Sequence, residues 1–303
     1  MPCPEDAQRW IAERYGARAG PLRALGAGAW STAYAFMLDG REAVARFGRH
    51  VEDYDKDRVM GDLRPPGLPI PQVLEIAPAP GGHVAISRRA HGRPLEELDA
   101  TGMRRVLPAL LRAMDAMAAI DVSGQQGFGG WGPDRRASHR HWADAVVDFA
   151  GDRLVGWRAA LEGSPTGAGP LQTGLARLRQ LSADLPDVRQ IIHGDLLAGN
   201  VLVSGSEVTA VLDWGNSMYG DALYDAAWLI YWWPWHPAWA GIDIAAELGR
   251  HWAVPGGTPP DRERRLLCYQ LRIGLDSMAY AAFTADWQGL EANARQTLAL
   301  AAR

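Results

Sequence analysis

The stretch Ile191-Ile192-His193-Gly194-Asp195-Leu196-Leu197-Ala198-Gly199-Asn200-Val201-Leu202-Val203, closing on Val208-Thr209-Ala210-Val211-Leu212-Asp213-Trp214, decides how this chain is read. Residues 201–204 and 208–212 are short β-branched runs, and Ser204-Gly205-Ser206-Glu207 between them has turn chemistry, so the pattern predicts a hairpin. A hairpin puts Asn200 at the start of one strand and Asp213 at the end of the next. Both side chains then leave from one end, beside Asp195 on the preceding loop. Two carboxylates and an amide oxygen at one point make a poor core and a good site for Mg2+ and phosphate. Hard cations take oxygen ligands, and Mg2+ uses one or two carboxylates together with substrate phosphates.

The spacing His193-x-Asp195-x-x-x-x-Asn200, followed by Asp213, resembles the catalytic loop and metal-binding aspartate of protein kinases. Its flavour is that of aminoglycoside phosphotransferases, with His-Gly-Asp and with Leu212-Asp213-Trp214 in place of Asp-Phe-Gly. The resemblance implies that Asp195 accepts the proton of an acceptor hydroxyl and that Asn200 and Asp213 hold the Mg2+ bridging the phosphates of ATP. It implies an α+β, two-lobed protein-kinase-like fold. The N-terminal lobe is small and mostly antiparallel β with a helix; the larger, helical C-terminal lobe carries the catalytic hairpin.

A chain of 303 residues has room for two lobes, and its 48% hydrophobic and 22% charged content is ordinary for a globular protein. The net charge of −4 argues against a nucleic-acid partner and is compatible with a cationic small molecule. Cys3 and Cys268 make no disulfide framework, so a reducing, cytoplasmic setting is expected. The N-terminus lacks the basic and apolar regions of a signal peptide. The most apolar run, 226–235, is broken by Pro234 and too short to span a bilayer, so no membrane partner is expected. A monomer is expected. Of 31 lysines and arginines, Lys56 is the only lysine, which matters because a kinase normally needs one.

Upstream of the hairpin, Trp10, Ile11 and Tyr15 fall at helical spacing within a first helix over 5–16. A strand then runs into Gly26-Ala27-Gly28-Ala29-Trp30-Ser31 and out into a second strand. Gly26 and Gly28 let the backbone approach phosphates and Ser31 adds a hydroxyl. An ordinary hairpin turn is the other reading, and the position ahead of the catalytic-type loop favours a phosphate cover. Residues 43–47 predict a third strand, where kinases carry the lysine that grips the α- and β-phosphates. This chain has Arg46, a planar fork that suits phosphate without being equivalent to lysine. Either Arg46 takes that role with Glu52, Asp55 or Asp57 as partner, or Lys56, at the start of a helix, reaches the phosphates instead. The first reading is favoured, and Lys56 as a solvated surface residue is the bland alternative. After a proline-rich link over 65–71 come strands over 72–76 and 84–89, and Ser87-Arg88-Arg89-Ala90-His91-Gly92 leads into a hinge. The nucleotide-binding lobe is therefore drawn at 1–92 and the catalytic and substrate-binding lobe at 93–303. In the kinase arrangement hinge backbone pairs with adenine, which places Ser87 and Arg89 with the nucleotide.

From residue 95 the character is helical. Apolar residues at 106, 107, 110, 111, 114, 117 and 118 predict a helix over 103–119. A glycine-rich loop follows over 121–133, then helices over 139–161 and 174–185 joined by a flexible segment at 162–170. Beyond the hairpin, Gly220-Asp221-x-x-x-Asp225 is read through the resemblance as a support of the catalytic loop. Trp228 and Tyr231 are expected inside the protein. Trp232 and Trp235 either join the core or line a wall for a sugar ring and nearby cations. Helices over 242–252, 262–284 and 290–302, with a loop at 255–260, complete the chain. Asp276 lies in an apolar helix and must be paired or functional, with Arg272 or a cationic aminocyclitol as its partner.

Taken together, the segments 54–58, 86–90, 127–133, 232–235 and 271–276 resemble hygromycin B 4-O-phosphotransferases, a group that also has arginine at the third-strand position. Gly194 departs from that group, which carries alanine in the His-x-Asp motif. The resemblance implies Mg-ATP as donor and an aminocyclitol antibiotic hydroxyl as acceptor. Rival readings keep the fold and change the acceptor to a macrolide, a peptide antibiotic, choline or a sugar, or drop turnover for a kinase-like binding role. A protein kinase is disfavoured by the missing Asp-Phe-Gly.

Overall fold

The computed structural model describes residues 2–253 and 259–303, so residues 255–258 of the loop expected at 255–260 lie outside the described residues. In chain order the elements begin α1 (Pro4–Tyr15), β1 (Arg23–Ala27), β2 (Ser31–Leu38), β3 (Arg41–Gly48), α2 (Val51–Leu63), β4 (Val73–Ala79), β5 (Gly82–Arg88) and β6 (Arg93–Pro94). Next come α3 (Ala100–Ala118), β7 (Phe128–Trp131), β8 (Ala137–His139), α4 (Trp142–Val147), α5 (Trp157–Glu162) and α6 (Gly169–Ser182). The chain continues through β9 (Gln190–Ile192), β10 (Val201–Ser204), β11 (Glu207–Val211) and β12 (Met218–Gly220). It ends in α7 (Leu223–Trp232), α8 (Ile244–His251), α9 (Arg262–Phe283) and α10 (Trp287–Ala301). No helix among the described residues is long and apolar enough to cross a membrane.

Two compact units interleave along the sequence. The first holds Met1–Ala116, Gly132–Asp134 and Leu197–Ser217; the second holds Met117–Trp131, Arg135–Leu196 and Met218–Arg303. The hairpin is thus grouped with the N-terminal strands.

The first unit is built on a five-stranded antiparallel sheet in the order β1-β2-β3-β5-β4. Strand alternation sorts its side chains by face. Ala43, Ala45 and Phe47 of β3 join Tyr34, Phe36, Val84 and Ile86 in a core closed by Ala7 and Ile11 of α1. The odd residues of β3 being taken, Arg46 points to the opposite face, where Tyr54 of α2 packs on Val73 and Ala85. A three-stranded sheet, β11-β10-β6, completes the unit. The predicted hairpin forms with Val201 opposite Val211, and its second strand starts and ends one residue earlier than expected.

The second unit centres on α9, whose residues 265–275 are buried and which packs against α5, α6, α7 and α10. Beside these helices runs the sheet β8-β7-β12-β9. Two expectations are corrected here. The supposed loop over 121–133 contains β7, where Phe128 and Trp131 bury themselves. Gly127 has φ +78°, and a Cβ there would drive into the carbonyl of Ala137. The single helix expected over 139–161 is two short ones. Between them Ala150 (φ 58°) and Gly156 (φ 82°) turn left-handed, and the Ala150 amide donates to Asp276 Oδ1 at 2.8 Å instead of to a helical carbonyl.

A buried polar cluster ties the unit together. Asp221 Oδ2 accepts from Arg265 Nε at 2.7 Å and from the Tyr269 hydroxyl at 2.5 Å, and Trp142 Nε1 donates to that hydroxyl at 2.9 Å. The Arg265 and Asp221 side chains are 5% and 2% exposed, so neither charge has water to fall back on. Removing one partner of such a pair strands the other. Asp221→Ala should therefore cost about 3–5 kcal/mol of stability in urea unfolding, with Asp221→Asn costing less. An Asp221→Ala protein as stable as the parent would contradict this account of the cluster.

Candidate active site

In the first unit, one end of the β10–β11 hairpin brings Asn200 and Asp213 together. Leu212 donates its amide to the Asn200 carbonyl at 2.8 Å, which sets Asn200 beside the residue that precedes Asp213. Asp213 adopts φ 61°, a left-handed conformation costly for a non-glycine residue and typical of functional positions. Its side chain is 48% exposed and its Oδ1 lies 3.5 Å from Arg46 Nη1. Arg46 also pairs with Asp57 of α2 and stacks over the Tyr54 ring at 4.9 Å. Of the three carboxylates considered as its partner, the structure selects Asp57. The other oxygen of Asp57 accepts from the Trp214 amide at 2.8 Å. Burial pushes the Tyr54 phenol up to about 12, against the lowering effect of Arg46.

Lys56 is not the solvated residue of the bland reading. It is 7% exposed, and its ammonium donates to the carbonyls of Gly215 at 2.8 Å and Ser217 at 3.0 Å.

Gly26 lies in β1, Ser31 begins β2 and Gly28 lies in the turn between them, where its amide donates to the Ser31 carbonyl at 2.8 Å. No atom lies within 4 Å of a Cβ placed on Gly26, and only the Ser31 carbonyl, at 3.9 Å, approaches one on Gly28. Room for a ligand against that backbone therefore exists. Ser87 is half-buried in β5, paired with Val44 and Val73. Arg89 is held by Glu42, through a 2.7 Å contact from its Nη1.

The oxygen donors suit Mg2+. Among the described residues there is no cluster of three or more His, Cys, Asp or Glu that could hold a metal. Asn200 and Asp213 carry oxygen donors of the kind hard cations take.

In the second unit, Asp195 sits half-buried after a loop fixed from beneath. Asp225, in the first turn of α7, accepts the His193 amide at 2.8 Å and the Gly194 amide at 2.9 Å. His193 is fully buried, its Nδ1 facing the Asp195 amide at 3.2 Å, and Gly194 has φ 77°. Both conserve the turn that presents Asp195. Sequence reasoning missed the aromatic neighbours of this carboxylate. The Tyr280 phenol is raised first by burial and then by the charge of Asp195, while Tyr224 is raised first by burial, with Asp195 the smallest of the charges acting on it. Tyr280 lies one helical turn beyond Asp276 on α9, a spacing that could have flagged it.

Asp276 proves less buried than its apolar helix suggested, at 39% side-chain exposure. Its Oδ2 lies 3.4 Å from Arg272 Nη1, so the expected pairing with Arg272 is present. Tyr231 is fully buried as expected, while Trp228 is only partly so. Trp232 and Trp235 meet edge to face at 5.2 Å, and Trp235 is 37% exposed with its Nε1 donating to Gln296 at 3.0 Å.

A family model described as phosphotransferase enzyme family matches residues 21–264. The chain is 34% identical to Hygromycin-B 4-O-kinase of Escherichia coli over 259 residues, 85% of this chain and 73% of the other. It is similar to the crystal structure of aminoglycoside phosphotransferase APH(4)-Ia, with a TM-score of 0.87 and 29% identity over 99% and 98% of the two chains. A thermostable mutant of that enzyme, in ternary complex with AMP-PNP and hygromycin B, matches at a TM-score of 0.85 and 30% identity over 98% of each chain. The α+β kinase-like fold expected from the sequence is the fold these proteins share.

Burial raises the Asp225 carboxyl to about 6, and the two amides it accepts only partly offset this. An unfolded aspartate titrates near 3.9, so the folded state holds the proton more tightly. The resulting stability is fully present below about pH 4 and is lost as pH rises through about 6, on the order of 3 kcal/mol in all. Asp225→Asn should remove this dependence, flattening stability between about pH 4 and 6 in a series of denaturant titrations. Identical pH profiles for the two proteins would contradict it.

Proposed function

The chain belongs to the phosphotransferase enzyme family, and we propose that it transfers the γ-phosphoryl group of ATP to a hydroxyl of an aminocyclitol antibiotic, hygromycin B first among them. The observation that carries this reading is the set at the end of the hairpin. Asp213 is half-exposed, stands beside Asn200 and lies 3.5 Å from an arginine already anchored on Asp57. That is the chemistry of a site that gathers phosphate oxygens, and it has no use in a core. The 34% identity to a hygromycin B kinase supports the acceptor.

Asp195 orients the acceptor hydroxyl and takes its proton as the oxygen attacks phosphorus in line. Asn200 and Asp213 would hold Mg2+, which would supply positive charge against the nucleotide phosphates. Arg46 supplies a fixed fork of donors to the phosphates, with Asp57 setting its direction. Gly26, Gly28 and Ser31 close over the phosphates, and Ser87 and Arg89 belong to the adenine side. Trp232, Trp235 and Asp276 face the acceptor, the rings against its sugar faces and the carboxylate against its ammonium groups. Positioning and electrostatics account for most of the catalysis in such a transfer.

An ADP-release assay with Mg-ATP and a panel of hygromycin B, kanamycin, a macrolide and choline tests the reading. Release with hygromycin B alone is expected. Release with another member instead keeps the chemistry and discards the acceptor, and silence across the panel overturns the proposal. Asp195→Ala should lower turnover by at least about 10²–10⁴-fold while nucleotide affinity stays close to the parent's. Full activity in that variant would remove Asp195 from the mechanism.

A further inference from the structure

The single lysine of the chain is buried, and a buried ammonium is costly unless its donors are used. Lys56 spends two of them on the carbonyls of Gly215 and Ser217, two and four residues beyond Asp213. Its neighbour Asp57 takes the Trp214 amide at 2.8 Å. One turn earlier on the same face of α2, Asp53 lies so close to Gly215 that an added Cβ would stand 2.8 Å from its carboxyl carbon. Residues 53, 56 and 57 of one helix therefore grip 214–217 by amide, carbonyl and close packing. Asp213, immediately before the gripped segment, holds a left-handed φ of 61° that a non-glycine residue rarely adopts unaided.

We propose that Lys56 is a positioning residue for the metal-binding Asp213. Its ammonium fixes the backbone downstream of the aspartate and so holds the carboxylate in its strained, ligand-ready conformation, making α2 and the metal aspartate one mechanical piece. Lys56 touches neither metal nor nucleotide in this role. The proposal rests on the reading of Asp213 as a metal ligand, and its test keeps the two apart because it needs no acceptor and no turnover.

The test is calorimetric titration of ADP, with and without Mg2+, into the parent protein, Lys56→Met, Lys56→Arg and Asp213→Ala. Outer-shell supports of metal ligands typically govern about 10–100-fold in metal affinity, so Lys56→Met should weaken Mg-ADP by that factor and leave metal-free ADP unchanged. Lys56→Arg, which retains charge and donors, should recover part of the loss. If Lys56→Met lowers the melting temperature yet preserves the Mg2+ dependence, Lys56 is only structural and the proposal fails. If Asp213→Ala itself preserves that dependence, the metal reading fails first. Should Lys56→Met not fold, the parent protein decides. With one lysine, ε-13C-lysine labelling gives a single side-chain signal, which should move with Mg-ADP and not with ADP alone. A signal indifferent to Mg2+ overturns the proposal.

Discussion

Irregular backbone leaves amides and carbonyls that no helix or sheet ladder pairs, and in this protein both loops that bear candidate catalytic carboxylates have such groups met by acidic or basic side chains from a helix. Under the His193-Gly194-Asp195 turn it is Asp225 of α7, accepting two consecutive amides. Around Trp214 to Ser217 it is Asp57 and Lys56 of α2, one accepting an amide and the other donating to two carbonyls. Each unit thus contains its own version of one device, a charged side chain replacing the hydrogen bonds that a helix or strand would have supplied. Charge-assisted bonds of this kind are shorter and stronger than neutral ones, which suits loops whose geometry must be held against thermal motion.

The same economy explains how an arginine serves at the third strand. Strand alternation turns Arg46 away from the α1 core and toward α2, where Asp57 fixes its fork and Tyr54 lies beneath it. A lysine there would offer a point charge, whereas the guanidinium has donors left over after pairing with Asp57. The chain's one lysine is accordingly freed for the different task of holding backbone. On the proposed reading, arginine for phosphate and lysine for carbonyls is a consistent division, because a guanidinium matches paired oxygens and an ammonium can splay its donors.

Much of this was legible in the sequence, for reasons that differ residue by residue. The hairpin was readable because β-branched runs flank a turn, which put Asn200 and Asp213 at one end; the roles proposed for them and for Asp195 came from the resemblance of their spacing to a kinase catalytic loop. Asp57 appeared only as one of three carboxylates, since helix phase relative to β3 is a tertiary fact. The burial of Lys56 was invisible, because acidic neighbours at 55 and 57 read as a solvated face. The strand at 128–131 was hidden by its glycines, which signal loops in isolation. The break between α4 and α5 was hidden because the amide of Ala150 is met by Asp276, over a hundred residues away. The Asp221–Arg265–Tyr269 cluster depends on helix packing that no local pattern encodes.

The central claim is a chemical one, that this protein moves a phosphoryl group from ATP to a hydroxyl of an aminocyclitol. Mass spectrometry and phosphorus NMR of hygromycin B, after incubation with the protein and Mg-ATP, test it most directly. The account predicts one product heavier by a single phosphoryl group, with a phosphate-ester signal coupled to one sugar or cyclitol proton and ADP formed in equal amount. Hygromycin B recovered unchanged, with no ADP formed beyond the level without protein, would contradict it.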